Sequence, residues 1–115
     1  MGVGGLTSEE RIVALEEARK LRALRAAIRA EIAGGKRTAA SVLDPQTWTS
    51  TNPDTHRALK GMRVRAFLTS LNGIGPKRAE QAIDDCNIDP KRKLGGLGPQ
   101  QRARLLEWLQ ARNIA

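Results

Sequence analysis

Aromatic side chains are nearly missing from this chain. Trp48, Phe67 and Trp108 make up 3% of its 115 residues, and there is no tyrosine. Single-strand binders and RNA-recognition sheets stack bases on several rings. Three scattered rings cannot build that platform, so any nucleic-acid role points to a duplex backbone. Cysteine is as scarce. Cys86 stands alone, which excludes an intramolecular disulfide and fits a reducing compartment. His56 is the one histidine and has no neighbouring metal or catalytic motif, so it reads as an ordinary surface residue. No enzyme chemistry is visible, and nothing in the chain asks for a cofactor. Met1 to Leu6 lacks the apolar core of a signal peptide. No stretch approaches the roughly 18 uninterrupted apolar residues of a membrane span. The expectation is a soluble cytoplasmic protein with no membrane partner. No segment alternates apolar and polar residues as a half-buried strand does, so the expected class is all-α.

What the chain does have is positive charge. Twenty Lys and Arg face twelve Asp and Glu, for a net charge of +8 and a pI near 10.8. That balance is the electrostatic footprint of a polyanion binder. The chain also repeats a phrase. Gly73-Ile74-Gly75-Pro76 is answered by Gly96-Leu97-Gly98-Pro99. Each reads as a tight glycine turn feeding a helix that proline opens, and the amides at such a helix start lack internal partners and cradle anions. Cations surround both turns: Arg63, Arg65, Lys77 and Arg78 at the first, Lys91, Arg92, Lys93, Arg102 and Arg104 at the second.

Three stretches organise the sequence. Residues 1–35 carry a long basic amphipathic helix. Thr7-Ser8-Glu9-Glu10 is a capping box that starts it, and Gly34-Gly35 stops it after Ala33. On a helical wheel Leu21, Leu24, Ile28 and Ile32 form one stripe. Arg11, Arg22, Arg25 and Arg29 gather on the neighbouring face, with Arg19 at its edge, and that sorting suits a helix lying along phosphates. Residues 36–61 hold short helices and a linker. Thr38 caps a helix through Leu43, Asp44-Pro45 ends it, and the polar run from Thr47 to Pro53 is the linker, with Trp48 as an anchor. Asn52-Pro53 opens a further short helix that Gly61 ends. Residues 62–115 form the dense helical domain. Val64, Phe67, Leu68 and Leu71 bury one helix face, Ala79, Ala82 and Ile83 another, and Leu105, Leu106, Trp108 and Leu109 the last.

Leu71 to Ile83 resembles the helix-hairpin-helix and helix-two-turns-helix patterns. Its glycines let backbone amides approach a phosphate, Ile74 plugs the turn into the core, and small Ala79 lets the paired helices come close. The second turn is a looser copy, because Arg102 stands where Ala79 would fall. Two such turns on one surface grip separated phosphates, which positions a protein without reading sequence. Asp84, Asp85 and Asp89 cluster, but they fit a helix end and its following turn better than a metal site. Two other function classes use the same features: a ribosome-associated RNA binder with a similar helix-two-turns-helix, and a helical adaptor whose long helix meets a partner protein.

Met62-Arg63-Val64, Ser70-Leu71, Gly73-Ile74-Gly75, Arg78-Ala79 and Arg92-Lys93-Leu94 leading into Gly96-Leu97-Gly98 together resemble the C-terminal domain of the actinobacterial integration host factors. Leu6-Thr7-Ser8-Glu9-Glu10-Arg11 and the Arg/Ala-rich helix resemble their N-terminal helix. The resemblance implies a nucleoid-associated protein that binds double-stranded DNA with little sequence preference, shapes it, and supports site-specific recombination by an integrase on the same DNA. The expected protein is a monomer with no catalytic residue. The contacts it carries over are Gly73, Gly75 and Arg78 at the first turn, and Arg92, Lys93, Gly96 and Gly98 at the second. Lys77, Arg63, Arg65, Arg22, Arg25 and Arg29 join them from the residue reading. The sequence departs from the family at Gly95, where a basic residue is usual, and at Pro76, where a cation is common. These departures mark a divergent member, with phage origin as one reading.

Overall fold

The computed structural model describes Gly5 and residues 7–49 and 52–114. Leu6 of the N-terminal phrase, Ser50 and Thr51 of the expected linker, and residues 1–4 lie outside the described residues. Among the described residues seven α-helices and one 3-10 turn follow in order: α1 (Ser8–Ala33), α2 (Ala39–Leu43), α3 (Pro45–Thr49), α4 (Pro53–Lys60), α5 (Val64–Ser70), α6 (Pro76–Asp85), the 3-10 turn (Leu94–Gly96) and α7 (Pro99–Gln110). The fold is all-α. Among the described residues the only β-like pairing is an isolated bridge between Arg63 and Lys93.

The ends of α1 follow from its sequence. The Glu10 amide donates to Thr7 Oγ1 at 3.1 Å, and the Thr7 amide donates to the Glu10 carboxylate at 3.2 Å. At the other end Gly35 turns left-handed, with φ +78°. That lets the Lys36 amide reach Glu31 O at 2.8 Å and the Gly35 amide reach Ile32 O at 3.1 Å, closing the orphan carbonyls. The 26 residues make a rod of about 39 Å. Only its second half meets the core. Ile28 and Ile32 are buried and Leu21 and Leu24 pack against them, while Ile12, Val13 and Leu15 stay more than half exposed. The first half is tethered by ion pairs: Lys20 with Asp54 at 2.7 Å and Glu17 with Arg57 at 3.4 Å. The Asp54 carboxylate raises the Lys20 pKa above its ordinary value, chiefly through that hydrogen bond.

The middle segment is more helical than its polar composition suggests. The run from Thr47 to Pro53 reads as a linker, yet Pro45–Thr49 is the helix α3. Asp44 Oδ1 accepts from the Gln46 amide at 3.0 Å, so the residue that ends α2 also starts α3. Trp48 is the expected anchor. It is 4% exposed, and its Nε1–H donates to Val42 O at 2.9 Å. His56 is not a plain surface residue, because its ring packs tilted against Trp48 with centroids 6.1 Å apart. Asn52 caps α4 by accepting from the Thr55 amide at 2.8 Å, with Pro53 at the first helical position.

One hydrophobic cluster spans all of this. It runs from Ile28 and Ile32 through Val42 and Trp48 to Phe67, Leu68, Ile83, Leu105 and Leu109. Phe67, Leu68, Ala79 and Ala82 have no exposed surface, which is why α5 and α6 can lie in close contact. At the end of α6 Asn87 takes φ +53°, and the Ile88 amide bonds back to Ile83 O at 2.9 Å. The chain then returns to the start of α5. There the Val64 amide bonds Arg92 O at 3.0 Å and the Leu94 amide bonds Met62 O at 2.8 Å. These two bonds fix the second glycine turn beside α5.

Candidate nucleic-acid interface

The first turn is held open. Gly73 sits at φ +87°, a conformation that a β-carbon disfavours. Arg78 Nη1 donates to Gly73 O at 3.3 Å and the Ile74 amide bonds Leu71 O at 3.2 Å, so the turn is braced from within. Gly75 begins α6 with no side-chain cap. Among the described residues nothing accepts from the amides of Gly75, Lys77 and Arg78, which point out of the helix start. A β-carbon on Gly75 meets no atom within 4 Å, and its φ of −90° suits any residue. Internal packing therefore does not require glycine at 75.

The second turn is built differently. Three of its loop amides are bonded inside the protein, Gly96 N–H to Lys93 O at 2.9 Å, Leu97 N–H to Leu94 O at 3.2 Å, and Gly98 N–H to Gln101 Oε1 at 3.1 Å, while among the described residues nothing accepts from the Gln100 and Gln101 amides at the start of α7. Its carbonyls are bonded too, Gly96 O by Arg92 Nη1 at 3.3 Å and Leu97 O by Arg102 Nη1 at 2.6 Å. That bond explains how Arg102 fits where the first turn has an alanine. The turn sets the cationic side chains of Lys91, Arg92 and Lys93 ahead of that helix start. Three glycines nearby leave room for cationic side chains, a guanidinium at Gly61 and aliphatic stems at Gly95 and Gly96. A β-carbon on Gly61 would strike the Arg25 guanidinium, one on Gly95 would strike Lys60, and one on Gly96 would come within 2.9 Å of Arg92 Cδ.

The arginine face of α1 is partly structural. Arg25 Nε donates to Ala58 O at 3.1 Å and Arg29 Nε to Ser70 Oγ at 3.0 Å. Arg22 is exposed and has no such bond among the described residues. Arg63 Nη1 donates to Lys91 O at 3.0 Å. Arg22, Arg25, Arg29, Arg63 and Lys93 line one cleft of about 400 Å³ between α1 and α5. A larger cleft of about 760 Å³, lined by Lys60, Lys91, Arg92, Lys93 and Gly96, adjoins it, and the two share Gly61 and Lys93. The helix face and the second turn thus make one basic surface.

The other expected residues line neither of these two clefts. Gly73, Gly75, Lys77 and Arg78 sit past the far end of α5, where Asn72 Nδ2 bonds Ala33 O at 3.1 Å. Arg65 is paired with Glu80 at 3.1 Å and lines a third cleft together with Asp84. Gly98 lines none of these clefts. The acidic cluster has structural partners: Asp85 accepts from Trp108 Nε1 at 2.9 Å, and Asp89 accepts from the Lys91 amide at 2.7 Å. Burial, helped by Asp85, pushes the Cys86 thiol above its ordinary range, so it stays protonated at neutral pH.

Comparison with known proteins bears on this surface directly. A family model described as the S13-like H2TH domain matches residues 51–109. The integration host factor of Mycolicibacterium smegmatis is 35% identical over 107 residues, covering 93% of this chain and 95% of that protein. The chain belongs to the integration host factor family. The Mycobacterium tuberculosis integration host factor is 33% identical over the same coverage, and that of Streptomyces coelicolor is 33% identical over 91% of this chain. Among solved structures, sIHF bound to an 8-bp palindromic DNA superposes with a TM-score of 0.69 at 27% identity, covering 81% of this chain and 97% of that one. The H2TH match takes in α4, and α4 holds the surface residue that the sequence reading missed. Lys60 stands one position before Gly61, at the end of a short helix in the least patterned stretch of the chain. The glycine that ends that helix was its nearest visible signal.

Proposed function

We propose that this integration host factor is an architectural protein that grips double-stranded DNA by its backbone, with little sequence preference. The observation that carries the reading is the junction at Gly61 and Lys93, which makes one basic surface of the α1 arginines and the second turn. The first turn adds a separate anchor, where helix-start amides and the Lys77 and Arg78 side chains serve the same kind of phosphate. Contacts of both sorts fix position and orientation without reading bases. On this reading the protein works as a monomer on the nucleoid and shapes the DNA on which a site-specific recombinase acts.

Competition among duplex DNA, structured RNA and heparin at matched salt tests the reading. Duplex DNA is expected to win over structured RNA, and scrambled duplexes are expected to bind within a few-fold of one another. Preferential binding of structured RNA overturns it in favour of the ribosome-associated alternative. Affinity almost independent of salt overturns it in favour of a protein adaptor, because releasing counterions from several phosphates imposes a steep dependence.

A further inference from the structure

The second turn lacks a cation at Gly95, and the structure shows why none fits there. The end of α4 lies directly on the turn. A β-carbon on Gly95 would come within 2.9 Å of the Lys60 carbonyl oxygen and would also strike the Lys60 side chain. Backbone so close leaves no room for any side chain at 95. The same approach brings the Lys60 stem across the glycine and into the cleft that Arg92, Lys93 and Gly96 line.

We propose that Lys60, borne by α4, is a phosphate-binding residue of the second turn and supplies the positive charge that Gly95 cannot carry. The inference rests on the duplex-DNA reading above. Lys60 is exposed, and no carboxylate pairs with it among the described residues. Its helix neighbour Arg57 also lines the cleft but is held by Glu17 at 3.4 Å and Asp54 at 3.9 Å, so its charge is largely answered within the protein. A lysine suits this place. Its flexible apolar stem can cover the bare glycine backbone while the ammonium stays in water, available to a phosphate.

The test is a salt titration of duplex-DNA affinity for wild type, Lys60→Met, Lys60→Arg and Lys36→Met, with thermal midpoints measured alongside. Lys60→Met keeps a stem over Gly95 and removes only the charge. It is expected to bind several-fold more weakly at 50 mM salt with an unchanged midpoint. The deficit should shrink about 3.5-fold by 200 mM, as the loss of one phosphate contact requires. Lys60→Arg should bind as wild type does, and so should Lys36→Met, which removes a lysine outside the cleft. Wild-type affinity and slope in Lys60→Met overturn the inference and leave the DNA reading intact. A loss in Lys36→Met equal to that in Lys60→Met also overturns it, because the effect would then be one of net charge. Failure of the wild-type protein to bind duplex DNA overturns the DNA reading itself, and the inference with it.

Discussion

Two glycines of the first turn differ in why they are glycine. Gly73 is needed by the chain, since φ +87° penalises any β-carbon. Gly73→Ala is expected to cost about 1 kcal/mol of stability, read as a lower urea midpoint. Gly75 has extended geometry and open space around it. There Gly75→Asp adds a good N-cap and a favourable charge at the start of α6, so stability should hold or rise by about 0.5–1 kcal/mol. The same carboxylate repels a phosphate, so DNA affinity should fall at least tenfold. A variant that is as stable as wild type and binds as tightly removes the first turn from the interface. The sequence made both glycines visible, because the phrase Gly-Ile-Gly-Pro stands out. It could not tell them apart, because that difference lies in a dihedral angle and in empty space, and neither has a residue code.

At the scale of elements, α1 was the most legible part of the molecule. Its capping box, its Gly34-Gly35 stop and its apolar stripe all fall where Thr7, Glu10 and Leu21 to Ile32 place them. What periodicity could not show is that the arginine face is also a set of struts. Arg29 ties α1 to Ser70 of α5, whereas Arg22 is tied to nothing among the described residues. Arg29→Ala should therefore lower stability by about 1 kcal/mol, the loss of one partly exposed charged hydrogen bond, and weaken DNA binding as well. Arg22→Ala should weaken DNA binding and leave the melting temperature alone. Equal melting losses in the two variants would contradict that division of labour. The short helix α3 was illegible for the opposite reason. Five residues carry no period, and the Asp44 cap that starts it is the same residue that ends α2, so only a turn was visible in the sequence.

At the scale of the whole molecule, net charge was legible but its arrangement was not. A charge of +8 says only that a polyanion is welcome. Contacts distant in sequence sort the cations: the bridge of Arg63 with Lys93 brings the second turn to the start of α5, and Glu80 takes Arg65 away from it. Seven of the expected site cations, Arg22, Arg29, Arg63, Lys77, Arg78, Arg92 and Lys93, are exposed with no carboxylate partner among the described residues. If each meets one phosphate, log affinity should fall against log salt with a slope of about −6. The double variant Arg92→Ala/Lys93→Ala should flatten that slope by about 2 on every duplex sequence while helix content stays unchanged. Arg65→Ala should leave it nearly untouched, because the charge it removes is already answered by Glu80. The contrast separates geometry from charge, since Arg63→Ala and Arg65→Ala change the net charge equally. Only Arg63 lies on the joined clefts, so only its loss should lower the slope, by about 1. Equal losses from the two would mean that the protein attracts DNA as a diffuse cation and that the surface joined at Gly61 and Lys93 has no special part in the grip.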